Sequence, residues 1–266
     1  MLLRGLVREA RHWGDVGEQL RLRLAGGDSV IALDLPGNGL RHHETSPLTV
    51  RRLVAACRAQ LRQQAGQPPL VLVAMSLGAM VAVQWCREAP HEVAGCVLVN
   101  TSLRGVSPFW QRLRPRNWPA LLRLLASGIP PLQRERLVLM LTSSEPRRHA
   151  ALPEAWAGYA SSHPVRRGNA MRQLIAAMLY GAPPPTGVPT LVLASAGDQL
   201  VDPRCSQQLA RRWQLAFALH PSAGHDLPLD DPQWFVAAVS SWWRDLPHGH
   251  ETATGAPSGS HRQAPQ

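Results

Sequence analysis

Leu70-Val71-Leu72-Val73-Ala74-Met75-Ser76-Leu77-Gly78-Ala79-Met80 is the stretch that decides the fold. Its opening, LVLVA, is an aliphatic run of the length and composition of a buried strand. From Leu77 to Glu88 the pattern turns helical, and Pro90 ends it. No loop separates the two, so Ser76 sits on a strand-to-helix turn sharp enough to strain its backbone. The positions two before and two after such a serine have no room for a large side chain, and they are Ala74 and Gly78. Alanine stands where glycine is the commoner choice and meets the same steric need. A turn of this kind aims the N–H of Leu77 at the place where negative charge would develop on an attacked carbonyl. The plainer reading is a serine N-cap with a glycine nearby by chance; the uninterrupted strand–turn–helix context favours the sharper one.

Outward from this segment, short apolar runs alternate with helical stretches. Ser29 to Leu35 (SVIALDL) reads as a strand ending in the turn cluster Pro36-Gly37-Asn38-Gly39, and Leu48 to Gln64 as a helix with Leu53, Val54, Cys57 and Leu61 on one face. Val93 to Val99 is a further strand. From Arg104 to about Pro185 there is no β-like run, only Leu- and Arg-rich helical segments broken by prolines. The strand pattern resumes at Thr190–Ser195 and around Leu215–His220, with helices from about Pro203 to Trp213 and Pro232 to Trp243. This alternation predicts an α/β fold, a mostly parallel central sheet flanked by helices. The core takes residues 1–103 and 186–246, a helical insertion takes 104–185, and a Gly-, Ser-, Pro-, His- and Gln-rich tail, 247–266, is expected to be disordered.

Composition narrows the function classes. Of the 266 residues 45% are hydrophobic and 17% charged, and no apolar run approaches the roughly 18 residues of a membrane span. The first residues lack the basic stretch, apolar core and cleavage site of a signal peptide, so a cytoplasmic location is expected. The net charge of +10 comes from 28 basic residues, every one of them Arg. They are scattered in pairs such as Arg51-Arg52 and Arg211-Arg212 and are not interleaved with aromatics, which argues against a nucleic-acid partner; steering of an anionic substrate or partner stays open. The four cysteines, Cys57, Cys86, Cys96 and Cys205, show no C-x-x-C spacing, and three lie in apolar runs, as small buried hydrophobes do. Neither a metal nor a cofactor is expected.

A serine on such a turn becomes a nucleophile when a base takes its proton and a carboxylate orients the base. Asp198, in Ala196-Gly197-Asp198-Gln199-Leu200-Val201, follows the strand TLVLAS, at the strand end where open α/β sheets place their working residues. His225, in Ala223-Gly224-His225, follows the last short strand. Asp198 also reads as a plain turn aspartate and His225 as a surface histidine. Asp202 is a rival acid, but it precedes Pro203 and reads as the start of the next helix. His42, His43, His91, His163 and His220 lack the loop context.

Arg4-Gly5-Leu6, Asp34-Leu35-Pro36-Gly37-Asn38-Gly39, Ala74-Met75-Ser76-Leu77-Gly78, Gly197-Asp198-Gln199-Leu200-Val201 and Ala223-Gly224-His225 together resemble the α/β-hydrolase superfamily, in its single-domain serine esterase branch with a helical cap. The resemblance runs from about residue 2 to residue 245 except for the variable middle. It implies Ser76 as nucleophile, Asp198 as acid and His225 as base, in the chain order of that fold, with an oxyanion hole from the backbone N–H groups of Leu6 and Leu77. Arg4 replaces the usual His, and the oxyanion strand begins at Met1 without the usual leading hairpin before it, either because the protein dispenses with the hairpin or because its start lies further upstream. In some relatives the acid follows the strand before the cap; the residue there is Asn100, which cannot carry the charge. Asp34 is usually structural in such proteins. Met75, beside the nucleophile, is expected to line the pocket, and the insertion, with apolar residues such as Leu121, Leu137, Leu174 and Met178, to pack on the core and line an acyl pocket.

The function implied is hydrolysis of a small or medium carboxylic ester through an acyl-enzyme. A thioesterase, lactonase, aminopeptidase or C–C hydrolase would use the same triad. A non-catalytic binding protein on the same scaffold is the reading from a different class, since fold alone does not establish activity; the complete Ser/Asp/His set argues against it.

Overall fold

The apolar runs pair into one sheet whose strands are all parallel. In this computed structural model, which describes residues 1–24, 29–63, 68–125 and 128–246, β1 (Leu2–Leu3) pairs with β2 (Ala32–Leu33) and with β3 (Leu70–Met75). β3 then pairs with β4 (Val93–Val99), β4 with β5 (Thr190–Ser195) and β5 with β6 (Ala216–His220), giving the order β2-β1-β3-β4-β5-β6. The strand expected over Ser29–Leu35 shrinks to two residues, because its single neighbour, β1, is itself two residues long. The tail expected to be disordered from residue 247 lies outside the described residues.

Alternation of side chains across the sheet makes two cores. Leu72 and Ala74 of β3, Leu98 of β4 and Val192 of β5 face one layer, which includes helices α2 (Val50–Gln63), α3 (Leu77–Glu88) and α9 (Arg204–Trp213). Val73, Met75, Val97, Val99 and Leu193 face the other, with α1 (Val16–Arg23) and α11 (Pro232–Arg244). The predicted stripe Leu53, Val54, Cys57 and Leu61 is the buried face of α2. The four cysteines are buried free thiols. The helices over 16–23 and, after β6, α10 (Leu227–Asp230) were not anticipated from the sequence.

Between β4 and β5 the described residues form α4 (Phe109–Arg112), α5 (Trp118–Leu125), α6 (Pro131–Thr142), α7 (Leu152–Ser162) and α8 (Arg167–Leu179). The two ends of this stretch meet at its base: Arg104 N–H donates to Tyr180 O at 3.1 Å and Ala182 N–H to Arg104 O at 2.9 Å. The chain leaves β1 toward one side of the sheet and β3 toward the other, so the carboxyl ends of these neighbours form the switch point where open parallel sheets carry their sites. Ser76 stands there.

Candidate active site

Ser76 joins β3 directly to α3 with φ 56° and ψ −118°, a conformation that costs a non-glycine residue on the order of 1–3 kcal/mol and persists where the surroundings enforce it. They do so here. Ser76 N–H donates to Val99 O at 2.9 Å, and Ser76 O accepts from Thr101 Oγ1 at 3.1 Å and Met80 N–H at 3.3 Å. A Cβ on Gly78 would lie 2.6 Å from the carbonyl oxygens of Leu3 and Arg4, and one on Gly5 would lie 3.0 Å from Ser76 Cβ. The loop after β1 is thus pressed against the elbow, bringing the segment that carries Leu6 beside the one that carries Leu77. Among the described residues neither the Leu6 nor the Leu77 N–H has a hydrogen-bond acceptor. Met75 is 4% exposed and packs in the core layer with Val73, Val99, Leu193 and Leu227.

Asp198 and His225 come together from loops at the ends of β5 and β6. His225 Nδ1 lies 2.7 Å from Asp198 Oδ2, and since a carboxylate only accepts, the ring donates and leaves Nε2 as the acceptor. The other carboxylate oxygen accepts from Leu200 N–H at 2.8 Å and Val201 N–H at 2.9 Å. Asp198 is 1% and His225 4% exposed, so the pair is screened little by water. Gly197 allows this approach: a Cβ there would collide with the carbonyl oxygen of Ser222. Ser76 Oγ forms no hydrogen bond with His225.

The His225 loop is braced by residues that no local signal marks. Asn100, itself at φ 45°, donates through Nδ2 to His225 O at 2.8 Å and Ser195 Oγ at 3.0 Å, and accepts from Ser195 N–H at 2.9 Å. Asp230 accepts from Gly224 N–H at 2.6 Å and from Ser143 Oγ at 2.5 Å, tying the loop to the end of α6. His220 Nδ1 accepts from Ala223 N–H at 2.8 Å, which leaves Nε2 to donate to Asp231 at 3.2 Å. Arg4, where the resemblance leads one to expect His, forms a buried double hydrogen bond with Asp226.

The rival residues lie elsewhere in the hydrogen-bond pattern. Asp202 accepts from Arg204 N–H at 3.0 Å and pairs with the Arg204 guanidinium at 2.7 Å, which holds its carboxyl below the usual carboxylate range. Asp34 accepts from Ala10 N–H at 2.7 Å and Leu40 N–H at 2.9 Å, and burial pushes its carboxyl up. The His42 and His163 rings lie 5.1 Å apart, and His163 accepts from Arg11. Among the described residues no group of three or more His, Cys, Asp or Glu is placed to hold a metal ion, and no helix is long and apolar enough to cross a membrane.

A sequence profile of the Alpha/beta hydrolase family matches residues 2–238. The chain is 28% identical over 246 residues to a pimeloyl-[acyl-carrier protein] methyl ester esterase of Stenotrophomonas maltophilia (strain K279a), covering 85% of this chain and 90% of that protein. Among solved structures, a thermophilic esterase from Thermogutta terrifontis superposes with a TM-score of 0.70 at 22% identity, over 91% of this chain and 88% of the other. Esterase RhEst1 from Rhodococcus sp. ECU1013 superposes with a TM-score of 0.71 at 21% identity, over 92% and 90%. At these identities the structural likeness speaks for the fold.

Proposed function

Since this chain belongs to the alpha/beta hydrolase family, we propose that it is a serine hydrolase that cleaves a small or medium carboxylic ester through an acyl-enzyme. Ser76 Oγ attacks the ester carbonyl while His225 Nε2 takes its proton. The N–H groups of Leu6 and Leu77 hold the oxyanion, and His225 returns the proton to the leaving alcohol. Water, activated by the same imidazole, then releases the acid. Asp198 keeps Nδ1 protonated and steadies the imidazolium.

The observation that carries this reading is the buried 2.7 Å contact between His225 Nδ1 and Asp198 Oδ2, made by two loops at the same end of the sheet as the strained Ser76. Hydrogen bonds between nucleophile and base are commonly long before substrate binds and tighten in the complex, which is compatible with the open Ser76–His225 contact. The name of one relative, a methyl ester esterase, supports an ester over the thioester, lactone, amide and C–C bonds open to the same triad. In this reading the 104–185 insertion is the cap over the site, and Met75 supports the elbow from the core instead of lining the pocket.

A fluorophosphonate probe, which reacts with an activated serine, tests the proposal on the purified chain. Wild type is expected to label and Ser76→Ala to stay unlabelled with an unchanged melting curve. The variant's turnover of p-nitrophenyl esters is expected to fall by on the order of 10⁶. A wild type that does not label, or a Ser76→Ala variant that still does, would reject it.

A further inference from the structure

Leu6, whose N–H the reading above places in the oxyanion hole, has an unusual neighbour in Val7. Val7 has φ 53°, in the left-handed region where a β-branched residue is a genuine outlier. On the other side of Leu6 stands Gly5, which resists rotation less than any other residue. Arg8 N–H donates to Gly5 O at 3.3 Å, closing a turn with Val7 at its third position, and a second partner holds this unfavourable conformation from outside the sheet. Val7 N–H donates to Gln173 Oε1 at 3.0 Å, and Gln173 belongs to α8 of the helical insertion.

The orientation of the Gln173 amide is fixed by its other contacts. Nε2 lies 2.8 Å from Asn38 Oδ1, 3.0 Å from Ser46 Oγ and 3.3 Å from Pro36 O. Pro36 O can only accept, and Asn38 uses its own Nδ2 to donate to Arg8 O at 2.8 Å, so its Oδ1 must accept as well. The nitrogen of Gln173 therefore points at these groups and the oxygen at Val7. Gln173, Asn38 and Ser46 are all fully buried. Asn38 holds the far side of the strained residue through Arg8 O, and Gln173 holds both Val7 and Asn38. Two further insertion residues grip these surroundings: Glu135 pairs with Arg8 of the Val7 loop at 2.5 Å, and Asn169 accepts at 2.9 Å from the N–H of Ser46, which lies in the segment between β2 and α2.

We propose that Gln173 is a positioning residue for the oxyanion hole: from the helical insertion it locks Val7 in the left-handed conformation and so fixes the direction of the Leu6 N–H. The inference rests on the serine-hydrolase reading. Without the Gln173 carbonyl, Val7 relaxes toward negative φ, and the rotation falls on Gly5 and Leu6, the adjoining residues free to turn. The donor then points away from the developing charge. In this arrangement the insertion completes the catalytic machinery as well as covering it, because a misdocked α8 leaves one of the two donors misaimed.

The test is Gln173→Met, similar in size and without hydrogen-bonding groups, in the full chain, in wild-type and Val7→Gly backgrounds. Glycine adopts φ near 53° without strain, so it removes what Gln173 is needed to enforce. With p-nitrophenyl butyrate, Gln173→Met is expected to lower kcat by about tenfold to a hundredfold, less than the roughly 10²–10³ lost with an oxyanion donor outright, with KM within about threefold. The fluorophosphonate labelling rate falls in parallel. In the Val7→Gly background the same substitution is expected to cost under about threefold. Gln173→Asn, which withdraws the amide by one CH₂ and keeps its polarity, gives the same comparison if the methionine variant does not fold. An unchanged kcat in Gln173→Met, or an equal loss in both backgrounds with a lowered Tm, would overturn the inference and leave the hydrolase reading standing. A wild type that fails to label overturns both.

Discussion

Arg4 and Asp226, 222 residues apart in sequence, meet through two parallel hydrogen bonds, Nη1 to Oδ1 at 3.0 Å and Nη2 to Oδ2 at 2.5 Å. The two side chains are 2% and 4% exposed, and the guanidinium lies over the Trp13 ring at 5.0 Å. One end of the pair directly precedes Gly5 and Leu6; the other directly follows His225. A single contact thus joins the proposed oxyanion loop to the proposed base loop, and the bidentate geometry fixes direction as well as distance.

Arg4→Met should therefore be costly for reasons beyond charge. It leaves the Asp226 side chain without its partner in the interior, a loss of about 3–5 kcal/mol when a buried pair is broken from one side. Replacing both partners in Arg4→Met/Asp226→Leu should recover most of that stability, since no charge is then stranded, while turnover stays reduced because the two loops are no longer registered. Urea unfolding of the three proteins measures the first effect and ester turnover the second. A single variant as stable as the parent would show that the pair does not hold the loops.

The proposed role of Asp198 separates it from its neighbour Asp202. Asp198→Asn can no longer impose the correct tautomer on His225 and is expected to lower kcat by roughly 10⁴, the loss typical of such a change in a serine triad. Asp202→Asn keeps an acceptor for Arg204 N–H and touches neither His225 nor Ser76, so turnover should stay within about threefold. The reverse ranking, read in one assay of both variants, would move the acid to the other residue.

The parts of this arrangement that were legible in the sequence share one property: their reason is local. Ala74-Met75-Ser76-Leu77-Gly78 announces the elbow because the steric demand acts within five residues, and Gly197-Asp198 and Gly224-His225 each pair a side chain of the proposed triad with the glycine that makes room for it. Arg4, Asn100 and Gln173 gave no such signal. In the sequence Arg4 stands only as a replacement for the usual His, and Asn100 only as a position that cannot carry the acid's charge. Their partners lie 222 and 125 residues away, and an arginine or asparagine in isolation carries no mark of what it will meet. Apolar insertion residues such as Leu122, Met140, Met171, Met178 and Leu179 are exposed; helical periodicity places residues on faces but does not say which face will find a neighbour.

His12 gives the insertion's contact with the core a pH dependence. Its ring packs edge-on against Trp156 at 5.4 Å and Tyr159 at 5.6 Å, and its Nε2 lies 3.1 Å from Arg8 Nη1, which can only donate. Burial first, and then the positive charges of Arg8 and Arg4, push its pKa well below the ordinary 6.5. Between the folded pKa and 6.5 the unfolded chain binds a proton that the native state refuses, so stability rises with pH across that window and is lost on acidification below 6.5. His12→Gln, which accepts a hydrogen bond without titrating, should flatten the profile. Urea midpoints of both proteins at about pH 8 and about pH 5 make the comparison; parallel losses would show that His12 is not the titrating group.

The acyl side of the substrate should be apolar, and the insertion should set its length. Leu121, Leu124, Leu137, Leu141, Leu174 and Ile175 are half-buried on α5, α6 and α8; of these helices, α6 reaches the proposed machinery through Glu135 and through Ser143 at its end, and α8 through Gln173. In the proposed cap, side chains of this kind would offer an acyl chain a wall that water does not compete for. Each CH₂ buried there contributes about 0.8 kcal/mol, about fourfold in kcat/KM. Rates on p-nitrophenyl esters should therefore climb from acetyl toward butyl or hexyl and then fall once the space is filled and further carbons meet packed atoms. The same series separates wall from core. Leu174→Ala on the wall should shift the optimum to a longer chain at little cost in Tm, whereas a packed Leu174 would lose about 2–5 kcal/mol of stability with the optimum unmoved. A profile that falls steadily from acetyl onward would mean that these residues face the core and that the acyl site is small or polar, and the preference for an ester over an amide or thioester would then need to be decided on the leaving group instead.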